Sequence, residues 1–233
     1  WSRGYTYRMI GALDRAEPAL RQLVAHGEAL DNVWTPVTGY TELTFLLHAQ
    51  GRLTASLEAA ETGLAVARAG IRAPGEPDRR RVPGYVGRLE SALATVLTER
   101  GDLDAAQRHA AAGIEQTRWW QNPNHRIYAQ VVSGQISRAR GDLDAAGAAL
   151  AEADAVATPR AVVPILPVLR DRLRVALWLD RGDLAAAKRW LAGLSISSKS
   201  PMNLVTGLQA LTTAEVHLAD GRPTEALVLL DRI

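Results

Sequence analysis

Residues Gly101 to Gly113 read GDLDAAQRHAAAG; a near copy, GDLDAAGAALAEA, begins at Gly141 and a looser one, GDLAAAKRWLAGL, at Gly182. Gly11-Ala-Leu-Asp, Gly51-Arg-Leu-Thr and Gly221-Arg-Pro-Thr open the same phrase. The six glycines are spaced by 40, 50, 40, 41 and 39 residues. A period of this size marks stacked supersecondary units, each too small to bury its own apolar face and each closing its neighbour's.

The copies agree where a helical hairpin requires it. Two residues after the glycine stand Leu13, Leu53, Leu103, Leu143 and Leu184; five after it stand Ala16, Ser56, Ala106, Ala146, Ala187 and Ala226. Seven residues before it a second small series runs through Gly4, Thr44, Ala94, Gly134 and Ala214, broken by Val175. Small residues on both sides of a turn let two antiparallel helices approach closely, and glycine supplies the left-handed conformation that ends the first helix. Asp14, Asp104 and Asp144, with Thr54 and Thr224, fall near the start of the second helix. Their oxygens are expected there to accept orphan amide protons and to suit the helix dipole.

The pattern is tetratricopeptide-like, small-Gly-Leu-Ala, stretched from the usual ~34 residues to about 40. The long period, the Arg140-Gly-Asp-Leu-Asp-x-Ala146 turn and Ala185-Ala-Ala-Lys-Arg-Trp-Leu191 together resemble the helical sensor domain of the large ATP-dependent LuxR-type (MalT-like) transcription activators. The resemblance spans essentially the whole chain. It implies a cytoplasmic bacterial regulator in which this piece lies between a nucleotide-binding module and a DNA-binding helix-turn-helix. ATP is then expected in the N-terminal module and no cofactor here, and DNA is reached only through the C-terminal one.

An all-α, TPR-like superhelical solenoid of about six helix-turn-helix repeats is therefore expected over 1–233 as one domain. The repeats fall at approximately 1–33, 34–72, 84–120, 121–158, 160–197 and 200–233. An apolar fraction of 47% with only 5% aromatic residues suits such a fold, being rich in Ala and Leu. The net charge of +2 argues against broad phosphate-backbone binding by this segment. The chain has no cysteine, which removes disulfides, thiolate zinc sites and cysteine nucleophiles. No apolar run reaches the ~20 residues that span a bilayer, so no membrane contact is expected. Trp1-Ser-Arg-Gly is not a translation start, and the sequence reads as a piece of something longer.

In chain order, residues 31 to 36 read as a turn, and Ile71 to Gly84, with Arg79, Arg80 and Arg81, as an extended surface loop accounting for the spacing of 50. Asn122 is placed to cap a helix beginning at Pro123, while Pro164 and Pro167 should delay or kink the first helix of the fifth unit. In the sixth, Pro223 is tolerable in a first helical turn.

Neither a G-x-x-x-x-G-K-[ST] phosphate loop nor a G-x-G-x-x-G turn is present. The histidines fall in different units and none forms H-E-x-x-H, so no metal site is read from them. The carboxylates cluster in turns, where a helix-start role outweighs acid-base chemistry. No catalytic constellation emerges, and no enzyme activity is expected of this segment.

What remains is recognition on a curved surface. The first helix of each unit should line the inner wall through positions thirteen, ten, six and three before the glycine. These are polar in units two to four, where His48, Arg88, Thr95, Tyr128, Gln135 and Arg138 are candidate ligand contacts, with the adjacent Trp119 and Trp120 closing one edge. Arginines supply charged donors, Gln135 and His48 neutral ones, and Tyr128 a stacking plate for a sugar-like or aromatic metabolite or a peptide. In units five and six the wall turns apolar, and Leu208 and Leu211 are candidate partner contacts or a self-association surface. Two functions stay open. One is a sensor that binds an inducer or regulatory protein and shifts its parent toward an assembled, DNA-binding form. The other is an adaptor that grips a peptide or partner protein.

Overall fold

The computed structural model describes residues 1–30, 32–71, 83–118, 120, 122–157, 162–194 and 202–233, all of it helix and connection with no strand among them. The arginine triplet 79–81 and Trp119 lie outside the described residues. In order the helices are α1 (Ser2–Met9), α2 (Leu13–Ala29), α3 (Trp34–Ala49), α4 (Leu53–Ile71), α5 (Pro83–Glu99) and α6 (Leu103–Thr117). They continue as α7 (Pro123–Ala139), α8 (Leu143–Val156), α9 (Ile165–Asp180), α10 (Leu184–Ala192), α11 (Leu204–Ala219) and α12 (Pro223–Leu230).

Each hairpin turns on one of the six glycines, whose φ lies between 70° and 82°. The glycine amide donates three residues back and the next amide five back, as in Gly51 to His48 (2.9 Å) and Arg52 to Leu47 (2.9 Å). This double bond pattern closes the orphan carbonyls of the first helix. The second helix starts at once. Its cap is the residue directly after the glycine: Asp102, Asp142 and Asp183 accept from the amides of Ala105, Ala145 and Ala186 at 2.9–3.0 Å. The capping expected of Asp104 and Asp144 is thus displaced by two residues. These two sit in the first turn, suited to the dipole, and pair across units with Arg140 and Arg181.

Both small series are buried inside the hairpins. The Ala and Ser residues five past the glycine are fully buried, and Ser56 Oγ donates to the Thr44 carbonyl at 2.8 Å, joining the two series directly. Val175 breaks the small series without loss, because it packs in a cluster with Ala187 and Val216. Helix α3 begins at Trp34, inside the segment read as a turn, because Asn32 Oδ1 accepts from the amides of Trp34 and Thr35. Asn122 caps α7, and α9 is delayed to Ile165 by Pro164 at its cap.

Successive first helices touch one another: α1 with α3, α3 with α5, α5 with α7, α7 with α9 and α9 with α11. Each second helix from α2 to α10 packs between its own first helix and the next unit's, and α12 packs on α11. An inner layer in mutual contact and an outer layer splayed apart is a curved stack, and it curls far enough that α1 and α11 also touch.

Candidate functional site

The inner wall of the early units is packed polar structure. Glu42 on α3 is wholly buried, and it accepts from Arg8 Nη2 of α1 (2.9 Å) and Arg88 Nη2 of α5 (2.7 Å). Burial pushes its carboxyl up, but the two guanidinium groups outweigh that and hold it below the usual carboxylate range. Both guanidinium groups lie over the Phe45 ring, at 5.3 and 5.0 Å, and Tyr128 of α7 meets its edge at 5.3 Å. The Tyr128 hydroxyl and Thr95 Oγ1 are 2.9 Å apart, and burial pushes the phenol pKa up to about 12.

Arg88, Thr95 and Tyr128 are therefore brought together, but each is already engaged by a protein group. His48 lies one turn beyond Phe45, half-buried; burial lowers its pKa against the opposing charge of Glu99. Trp120 packs edge-on to Tyr85 and stacks parallel to His125, an inter-unit contact. Glu42 was missed from sequence. Its signal was a lone acid nine residues before the glycine, in a row otherwise made of Ser2, Ala92, Val132, Leu173 and Thr212.

Gln135 and Arg138 belong to a different place. They face a pocket of about 370 Å³ between α7, α9 and α11, completed by Arg172, Leu173, Ala176, Leu179, Asp180 and Glu215. Its origin lies in the row six before each glycine. That row carries Phe45 and Thr95 in the packed part, then Gln135, Ala176 and Glu215, and the methyl of Ala176 leaves room where a ring fills it elsewhere. Arg138 grips Asp180 through two bonds, at 2.6 and 3.0 Å, and Arg172 Nη2 donates to Glu215 Oε1 at 2.8 Å. Arg172 Nη1 is buried without an acceptor, and the Gln135 amide makes no hydrogen bond among the described residues. Leu208 and Leu211 sit half-buried on α11, outside this lining. Among the described residues no group of three or more His, Asp or Glu side chains gathers as metal ligands would, and no helix is long and apolar enough to cross a membrane.

The family model of the MalT-like TPR region matches residues 1–233. The chain belongs to this family. It is 26% identical over 232 residues to the HTH-type transcriptional regulator MalT of Yersinia pestis (strain Pestoides F) and of Yersinia pseudotuberculosis serotype O:1b (strain IP 31758). The match takes in 99% of this chain but 24% of those proteins, so the chain spans about a quarter of their length. Among solved structures it is similar to the crystal structure of BtubC (BKLC) from P. vanneervenii, with a TM-score of 0.58 and 15% identity over 97% of this chain and 88% of that one. That likeness concerns the fold alone.

Proposed function

We propose that this MalT-like TPR region is the sensing part of a transcriptional regulator, and that its effector binds on the inner wall at the pocket between α7, α9 and α11. The observation that carries the reading is that pocket. It is the place on the inner wall where a candidate contact, Gln135, faces open volume beside the Arg138–Asp180 ion pair rather than being packed against protein partners. Arg88, Thr95 and Tyr128 then hold the inner layer together around Glu42, and His48 stands beside them. An effector bridging α7, α9 and α11 favours one curvature of the stack over another, as a switch requires. That change passes to nucleotide-binding and DNA-binding parts elsewhere in a cytoplasmic parent protein, favouring its assembled form. Leu208 and Leu211, with Leu218 53% exposed on the same helix, form the proposed contact for a partner protein or a second copy.

A thermal-shift screen of this chain against a metabolite collection tests the reading. A ligand present at 100-fold its dissociation constant adds about 2.7 kcal/mol to stability. The shift is expected to vanish in Ala176→Leu, which fills the pocket without touching a charge. A collection that yields no shift, or one whose shifts persist in that variant, overturns the placement.

A further inference from the structure

Two guanidinium clusters on the inner wall differ in their charge balance. Around the pocket, Arg138 and Arg172 meet two carboxylates, Asp180 and Glu215, one each. Around Glu42, Arg8 and Arg88 share a single carboxylate. The charges that act on Tyr128 beside them are those of Arg88, Arg8 and Glu42, so among the described residues no second acid completes the set. The cluster thus carries one positive charge in excess, in a place where Glu42 is wholly buried and Arg8 is 7% exposed. A partly desolvated guanidinium without a counter-ion of its own is costly, and an anion beside it removes that cost.

The donors for such an anion are present. Arg8 gives Nε and Nη2 to Glu42 and Arg88 gives Nη2, which leaves Arg8 Nη1 and Arg88 Nε and Nη1 without a protein acceptor among the described residues. Unlike Arg172 Nη1, none of the three is sealed from solvent. One carboxylate holds both groups, so an oxyanion at one also feels the charge of the other. A monoanion brings the cluster to the two-against-two balance of the pocket, whereas a dianion overshoots it. We propose that the inner wall between α1, α3 and α5 holds a second ligand site, taking the carboxylate of a small organic monoanion on the free edges of Arg8 and Arg88. It is separate from the pocket between α7, α9 and α11, and it stands or falls apart from it.

Thermal melts of the chain in acetate, propionate and benzoate, each beside its uncharged amide and at an ionic strength fixed with chloride, decide it. The carboxylates are expected to raise the midpoint saturably, and the amides to leave it where chloride does. Arg88→Gln leaves Glu42 paired with Arg8 alone and should weaken the response by about tenfold or more, the effect of one hydrogen bond to a charged group. Glu42→Gln removes the competing anion and should tighten the response. Circular dichroism confirms that each variant folds, and if either fails to fold the other decides. Ala176→Leu fills the other pocket and should change nothing here; a carboxylate response lost in that variant belongs to the pocket and overturns the second site. A response equal for carboxylates and amides, one that survives in folded Arg88→Gln or weakens in folded Glu42→Gln, or none at all, overturns it too.

Discussion

At the scale of single residues, two glycines of unlike purpose make the point. Gly101 has φ +80° and open space where a Cβ would stand, so only its backbone conformation demands glycine. Gly101→Ala is expected to cost about 1–2 kcal/mol, the left-handed penalty for an L-residue, with Gly101→Asn recovering part of it in urea unfolding. Gly113 is helical, and a Cβ there would lie 2.3 Å from Ser91 Oγ and 3.0 Å from the Gly87 carbonyl. Gly113→Ala should therefore cost about 1–3 kcal/mol by forcing α6 off α5, despite its better helix propensity. The first glycine was legible from period alone; the second was not, because close approach between helices leaves no mark in the local pattern. His125 gives a pH dependence. Burial, with the charge of Arg88, lowers its pKa from 6.5 to about 4 against the pull of the Gly84 carbonyl and Glu42. Its contribution is full above the unfolded value and is lost as pH falls from about 6.5 to about 4, at about 1.4 kcal/mol per pH unit. The stability of His125→Gln should fall less steeply across that window in parallel melts.

At the scale of elements, the caps separate two aspartates that look alike in sequence. Asp102 accepts from the Ala105 amide, so Asp102→Ala should cost about 1 kcal/mol in chemical denaturation. Asp104 is exposed and only pairs with Arg140, whose guanidinium holds its carboxyl below the usual range. Asp104→Ala is expected to move the unfolding midpoint less than Asp102→Ala does. The sequence places both at a helix start, and the one-turn geometry of the glycine hairpin decides which oxygen reaches an amide. Helix α3 shows the same limit. Trp34-Thr-Pro looks like a turn, yet Asn32 caps it and Pro36 sits in the first turn, where its missing amide proton costs nothing.

For the whole molecule, Glu42 ties three units together through Arg8 and Arg88. Glu42→Ala leaves two arginines largely buried and unpaired, and should destabilise by about 3–5 kcal/mol in equilibrium unfolding. Hydrogen exchange should rank the hairpins by their neighbours. α5 and α6, inside the core cluster running from Val37 to Ile136, should be the most protected, and α12, where Ala226 is the buried residue, among the least. The repeat, the all-helical class, the turn glycines and the inner-facing register were all set by local sequence. Hairpin closure depends on residues within one period, and those recur in every copy. Which polar inner residues pair and which stay open was decided only by tertiary structure. Arg88 and Arg138 each pair with an acid about a period away, yet the partner of Arg88, Glu42, is wholly buried, whereas the partner of Arg138, Asp180, shares with it the rim of a pocket that exists because Ala176 is small. That difference lies in contacts between units, where side chains far apart in the chain compete for the same space and the same hydrogen bonds.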